Sequence, residues 1–151
     1  MPKASIKRLI ECKKKDLINL VLDIEKYPEF IPFCYNAKIY EKEEAEISIK
    51  IIADLTIGKG PFKDTYKSDV LYNKQENTIS VKNIDGPLNH LSNKWSFIEQ
   101  NNQTEVIFDI DFEIKNKFLN TVMEASFQFG IEKIADAFQK RAENLFSYTK
   151  N

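Results

Sequence analysis

From Glu46 to Ile114 stretches of the chain place apolar side chains at every second position, and from Asn116 onward they recur at every third or fourth. That single change of period constrains the fold more than any other feature, because period two belongs to a strand with one buried face and period 3.6 to a helix. In EISIKIIADLTIG, Ile47, Ile49, Ile51, Ala53, Leu55 and Ile57 share a face, and Ser48, Lys50, Ile52, Asp54 and Thr56 share the other. TEVIFDIDFEIK alternates in the same way, with Val106, Phe108, Ile110, Phe112 and Ile114 against Glu105, Asp109, Asp111 and Glu113. Weaker strands are expected over 60–72, 77–84 and 94–100, the first with Phe62, Tyr66, Val70 and Tyr72 on one face. Asn73–Glu76 and Glu99–Gln103 read as polar hairpin turns, and Gly58–Gly60 as a tight or bulged connection. The middle of the chain is therefore an antiparallel meander with one apolar face.

The last third holds no proline and one glycine between Asn116 and Tyr148, and Phe127, Ile131, Ile134, Phe138, Ala142 and Leu145 step along it by threes and fours. A helix of roughly 30 residues is about 45 Å long at 1.5 Å per residue. Seven strands at about 4.8 Å are roughly 30 Å wide. The helix can thus lie across the whole apolar face.

Ahead of the meander, residues 3–12 read as a short strand, and Asp16 as the cap of a helix whose stripe is Leu17, Ile18, Leu20, Val21 and Ile24. Pro28 stops that helix. KYPEFIPFCYN follows, stiffened by Pro28 and Pro32 yet rich in Tyr27, Phe30, Ile31, Phe33 and Tyr35. Such an irregular apolar segment is expected to cover the apolar first half of the long helix.

The 151 residues carry a formal net charge of −1, which argues against wholesale electrostatic binding to nucleic acid and against a DNA partner. The charge is uneven, since residues 1–15 hold six lysines and arginines and one acid, Glu11. Cys12 and Cys34 lie apart and His90 is the only histidine, too few ligands for a zinc site, so no metal is expected. The N-terminus lacks the roughly 7–15-residue apolar core of a secretory signal, and the stretch before the first expected element is too short for a transit peptide, so neither is expected. No apolar run approaches the roughly 20 residues of a membrane span. A soluble, cytoplasmic protein is expected.

Two features point to a cavity. Phe118, Leu119, Val122, Met123, Ala125, Phe127, Phe129 and Ile131 make the first half of the long helix apolar around most of its girth. Gly130 within it suits the close approach of another backbone or a ligand. In DGPLNHLSNKW, Gly86-Pro87 interrupts the meander, Leu88 and Leu91 project from an expected loop, and Trp95 begins the next strand, an arrangement fit for a lid. His90 has no nucleophile or carboxylate beside it in sequence and is assigned a hydrogen bond to a loop carbonyl. Asp109, Asp111 and Glu113 share the face opposite the apolar one and are read as solvated surface rather than as acid–base or metal-binding groups.

Four segments carry a resemblance. YPEFIPFC (27–34) is similar to a YPxFxPWC pattern, GPLNHLSNKWSF (86–97) to GPFxxLxxxWxF, VIFDIDFEIKNKFL (106–119) to an alternating strand with a KNxLL-like ending, and AFQKRAENLF (137–146) to AFxxRAxxLY. In this order they resemble the coenzyme-Q-binding START proteins of the helix-grip superfamily, a group that includes bacterial ribosome-association toxins. Phe33 replaces the usual Trp and Leu88 the usual Phe, and both changes keep an apolar residue. The resemblance implies an α+β, START-like helix-grip fold. It would be one domain over residues 1–151, a curved antiparallel sheet of six or seven strands around a long C-terminal helix, with short helices after the first strand.

It also implies a hydrophobic pocket able to hold ubiquinone or a similar polyprenyl lipid as bound ligand, with no other cofactor. Its expected lining and lid are Pro28, Phe33, Phe62, Tyr66, Leu88, Leu91, Trp95, Phe127, Ile131 and Ile134. Lys13, Lys14 and Lys15 are the expected docking residues for an anionic membrane surface, such as a bacterial inner membrane, or for a ribosomal subunit. A quinone carrier or chaperone supporting respiratory electron transfer is the leading expectation. A toxin that blocks ribosomal subunit joining is the alternative. A polyketide cyclase-type enzyme ranks last, because no acid–base pair faces the cavity in sequence and catalysis is not expected.

Overall fold

A computed structural model describes residues 3–58, 63–85 and 88–146. Strand β1 (Lys3–Ile10) leads into helix α1 (Lys14–Leu22) and a 3₁₀ turn (Ile24–Glu29). Six further strands follow: β2 (Cys34–Glu44), β3 (Ser48–Ile57), β4 (Asp64–Asn73), β5 (Thr78–Asp85), β6 (Leu88–Gln100) and β7 (Gln103–Ile114). Helix α2 (Lys117–Phe146) ends the described chain. The strands form one antiparallel sheet in the order β1-β7-β6-β5-β4-β3-β2. The meander from β2 to β7 is therefore laid down in sequence order, and β1 closes onto β7 so that β1 and β2 are the two edges.

The alternation seen in sequence sets which face is buried. Ile51, Ala53, Val70, Ile79, Trp95, Val106, Phe108 and Phe112 point to the inner face and are buried, joined by Phe127, Ile131, Phe138 and Ala142 of α2. Polar turns close the hairpins as expected. Asn73 Oδ1 accepts hydrogen bonds from the Gln75 and Glu76 amides, and Asn77 and Asn101 take the left-handed conformation that asparagine tolerates.

Helix α1 starts two residues before the expected cap. Lys13 is its N-cap and offers no side-chain bond, and Asp16 sits in the first turn, where its charge suits the helix dipole. Pro28 lies inside the 3₁₀ turn, which needs fewer amide donors than an α-helix. The aromatic segment that follows α1 packs elsewhere than expected. Tyr27 and Phe30 meet the Phe138 ring edge-on at 5.5 and 5.3 Å, in the second half of α2 rather than the first. Arg141 lies 5.0 Å over the Phe30 ring and bonds Glu29 at 2.8 Å, which fastens the same segment from outside. The Tyr27 hydroxyl donates to the Val21 carbonyl, and burial holds its pKa well above the ordinary phenol value.

Two more expectations change. Residues 88–93 are not a loop: β6 begins at Leu88, so Leu91 is a buried strand residue opposite Phe112 and Trp95 sits in mid-strand opposite Phe108. A Cβ added at Gly130 would meet nothing within 4 Å, so among the described residues no backbone or side chain makes the close approach expected there. The connection at 59–62 and Gly86-Pro87 lie outside the described residues.

Candidate functional site: the inner face of the sheet and its helix

The inner face is held by aromatic contacts. Trp95 stands at its centre, 4.4 Å from Phe108 and 4.9 Å from Phe138 between ring centroids, and Phe112 meets Phe127 at 4.9 Å. Each such pair adds about 0.5–1.5 kcal/mol to the burial of its rings. Around Trp95 lies a cavity of about 30 Å³, bounded by Ile6, Ile10, Leu20, Phe108, Ile134 and Phe138. Arg8 reaches its rim and ties β1 to α2, with Nη1 2.6 Å from Asp136 Oδ1 and 3.2 Å from Gln139 Oε1. A space of this size holds about one water, against roughly 300 Å³ or more for a small-molecule pocket.

Polar atoms interrupt the apolar face farther along the sheet. Ser68 on β4 is 1% exposed and its Oγ has no hydrogen-bond partner. Asn93 on β6, one inward position before Trp95, has a buried Oδ1 that is likewise unpartnered. Asn83 on β5 lies opposite Ser68 and uses Oδ1 to accept the Leu91 amide at 2.9 Å, where the β5–β6 pairing has ended at Lys82–Ser92. Tyr66, two residues from Ser68 on the same face, is buried, and desolvation pushes its phenol pKa up. The neighbouring Ser68 hydroxyl offsets part of that rise, but the contact falls short of hydrogen-bond geometry. The phenol therefore stays protonated. A buried polar atom without a partner costs about 1–3 kcal/mol, and among the described residues Ser68 and Asn93 leave two such atoms on this apolar face.

The expected pocket residues divide into groups. Trp95 and Ile134 line the cavity. Tyr66, Leu91, Phe127 and Ile131 are buried in the same core. Pro28 is exposed on the 3₁₀ turn, and Phe33, 36% exposed, turns the chain into β2 with a φ of 69° while its carbonyl accepts the Gly58 amide. Phe62 and the side chain of Leu88 lie outside the described residues. So do the side chains of Leu119, Val122, Met123 and Ala125. Phe118 and Phe129, expected to need cover, are exposed.

The docking lysines sit at the head of α1, where Lys13 and Lys15 are exposed and the Lys14 amide donates to Glu99 Oε2 at 3.2 Å. His90 has a partner the sequence did not place beside it: its Nε2 lies 3.6 Å from Asp111 on the outer face. Asp109 and Glu113 share that outer face with Asp111, as expected from the alternation. Burial pushes the thiols of Cys12 and Cys34 up to about 11. Cys12 donates to the Ala142 carbonyl and its own carbonyl accepts Thr104 Oγ1, which pins the turn after β1 beneath α2.

A curved seven-stranded antiparallel sheet with a long C-terminal helix against its inner face defines a helix-grip, START-like protein. Comparison with known proteins agrees. Residues 13–139 match the family described as polyketide cyclase / dehydrase and lipid transport, and the chain belongs to that family. It is 31% identical to the ribosome association toxin RatA of Rickettsia prowazekii over 141 residues, covering 91% of this chain and 94% of that protein. It is 32% identical to the mitochondrial coenzyme Q-binding protein COQ10 of Dictyostelium discoideum over 131 residues, covering 85% of this chain and 62% of that protein. A START superfamily protein from Mycobacterium smegmatis superposes with a TM-score of 0.77 at 18% identity, covering 95% and 98% of the two chains.

Proposed function

We propose that this protein binds a hydrophobic ligand with a polar head, an isoprenoid quinone such as ubiquinone or a related polyprenyl lipid, between the sheet and α2, as a carrier or chaperone in respiratory electron transfer. The observation that carries this reading is the pair of buried, unpartnered polar atoms, Ser68 Oγ and Asn93 Oδ1, on a face otherwise built of aliphatic and aromatic side chains. The Ser68 hydroxyl would donate to a quinone carbonyl, with the protonated Tyr66 phenol as a second donor nearby, and Asn93 Oδ1, an acceptor, would take a hydroxyl of the reduced quinol form. Tyr66, Leu91, Trp95, Phe127, Ile131 and Ile134 would then cover the tail, at up to about 0.8 kcal/mol for each CH₂ equivalent removed from water. Phe33 and Pro28 would stand at the rim. The similarity to a protein named for coenzyme Q binding supports the same ligand class. The cavity of about 30 Å³ around Trp95 is too small for such a molecule by itself, so the ligand would occupy more of the inner face than this space.

The test is gentle purification followed by mass spectrometry of an organic extract, together with a titration of added ubiquinone. A co-purified quinone or polyprenyl lipid, displaced by ubiquinone, is the expected result. An empty extract together with no binding of ubiquinone would sink the reading.

A second reading, contact with a ribosomal subunit, is favoured by the similarity to a protein named as a ribosome association toxin. The exposed Lys13 and Lys15 would serve as one point of contact. Overexpression followed by sucrose-gradient profiling tests it, and unchanged 70S particles would refute it.

A further inference from the structure

The outer face of the sheet carries a second constructed feature, at the opposite side from the lipid reading and independent of it. β2 is an edge strand, and its pairing with β3 slips twice, between Cys34 and Asn36 and between Ile39 and Glu41. The residues left unpaired at the two slips are Tyr35 and Tyr40. Each is about half exposed, at 48% and 50%. A bulge turns its extra residue out of the regular pleat, so both tyrosines owe their exposure to the same device, used twice in one strand. Five residues at about 3.3 Å place them about 16 Å apart.

Each ring is furnished with ammonium groups. Lys63 Nζ lies 3.9 Å from the Tyr35 ring centroid, and Lys38 and Lys67 lie 5.1 and 5.0 Å from that of Tyr40. The three lysines come from β2, β4 and the residue just before β4. The register explains the pairing at Tyr40: Lys38 stands opposite Asp54, and Asp54 opposite Lys67, so three strands converge there. Acidic residues share this face with the lysines: Asp54 stands between Lys38 and Lys67, the exposed Glu41 follows Tyr40, and Asp69 lies two residues beyond Lys67. The Asp54 carboxylate beside the Tyr40 phenol raises the phenol pKa, and Asp64 Oδ1 accepts the Thr65 amide at 2.8 Å. Between the tyrosines lie the exposed hydroxyls of Thr56 and Thr65, 2.7 Å apart.

Flat aromatic rings at intervals, each with an ammonium group over its face and hydroxyls between, offer what an extended single strand of nucleic acid uses once the flexible lysines swing from ring to phosphate and free the rings for bases. Its bases stack on rings while its phosphates meet ammonium groups. We propose that this face binds single-stranded RNA, with Tyr35 and Tyr40 stacking bases, Lys38, Lys63 and Lys67 meeting phosphates, and Thr56 and Thr65 within reach of ribose hydroxyls. The overall charge of −1 is no obstacle, because stacking supplies the sequence-tolerant part of the affinity and the lysines act locally.

The test is a fluorescence anisotropy titration of the full chain with a short labelled single-stranded RNA across a salt series. Saturable binding that weakens with salt is expected. Y35S/Y40S should weaken it by roughly tenfold or more, while Y35F/Y40F, which keeps both rings, should bind within a few-fold of the parent. K38Q/K63Q/K67Q should flatten the log–log salt slope by about 2, at roughly 0.7 per phosphate contact on a single strand. Circular dichroism should show all three variants folded, since the replaced side chains are at the surface. No binding at low salt, equal affinity in parent and serine variant, or equal loss in the serine and phenylalanine variants would each overturn the proposal.

Discussion

The inner and outer faces of this sheet are made from alternate residues of the same strands, yet they stand out for opposite reasons. On the inner face Ile51, Ile79 and Thr104 are wholly buried, and the two unpartnered atoms of Ser68 and Asn93 are the exception. On the outer face apolar residues are half exposed singly, as at Leu71, Ile84 and Ile98, which needs no explanation. There the exception is a pair of aromatics lifted by bulges. A candidate site is thus found by departure from the local rule: polarity where the rule is apolar packing, and placed aromatics where the rule is scattered side chains.

The largest test of this contrast is Phe138→Ala against Leu71→Ala. Phe138 touches Tyr27, Phe30 and Trp95, so its truncation should cost about 3–5 kcal/mol in urea unfolding. Leu71→Ala should stay within about 0.5 kcal/mol. Similar costs at the two positions would mean that the faces are not energetically distinct.

The buried thiols sharpen the contrast through pH. Cys12 and Cys34 have a pKa raised from 9.0 to about 11, chiefly by burial. The folded state therefore keeps its protons where the unfolded state has begun to lose them. This contribution is intact below pH 9 and is lost as pH rises toward 11. Thermal melts across that range should fall more steeply for the parent than for Cys12→Ala, and native thiols should resist alkylation at pH 8. Rapid modification of both would place them outside the core.

Ser68→Ala removes a buried polar atom that bonds nothing, so the ligand-free protein should lose no stability and should gain up to about 1 kcal/mol. Ubiquinone affinity should fall by roughly tenfold if the hydroxyl meets the head group. A destabilised variant would show that Ser68 already has a structural partner.

Much of the contrast was legible in sequence. The period-two runs at 47–57 and 106–114 named the inner face, and the long run after Asn116 named α2. Four things were hidden. Gly86-Pro87 reads as the centre of a loop, yet β6 starts immediately after it, because Leu91 and Trp95 gain more from pairing and burial opposite Phe112 and Phe108 than a lid would give them. Which half of α2 receives Tyr27 and Phe30 depends on a contact more than 100 residues away in sequence, and no local pattern encodes it. The bulges at Tyr35 and Tyr40 arise from register between strands, and the segment 34–44 by itself shows only two tyrosines five residues apart among mostly polar residues. Alternation with Tyr66 and Val70 turns Ser68 inward, but that its hydroxyl and Asn93 Oδ1 lack partners depends on the neighbouring strands, and Asn93 falls in the stretch read as a loop.

Gly130→Ala tests a smaller point. Nothing lies within 4 Å of an added Cβ, so alanine should stabilise α2 by about 0.5–1 kcal/mol through propensity alone. A loss would reveal a neighbour pressed against that turn.

The smallest expected change is in some respects the most informative. Tyr40 projects from an edge-strand bulge, its ring meets ammonium groups rather than core side chains, and its hydroxyl lies beside Asp54 at the surface. Tyr40→Ser should therefore shift the unfolding midpoint by less than about 0.5 kcal/mol in free energy, while removing half of the aromatic platform. A residue kept for packing would show the reverse, with stability lost and RNA affinity untouched. Measured together, the two readouts decide whether the edge bulges serve the fold or a partner. If Tyr40→Ser unfolds the protein as readily as Phe138→Ala, the outer face is part of the core's support, and the division between the faces fails where it was drawn most sharply.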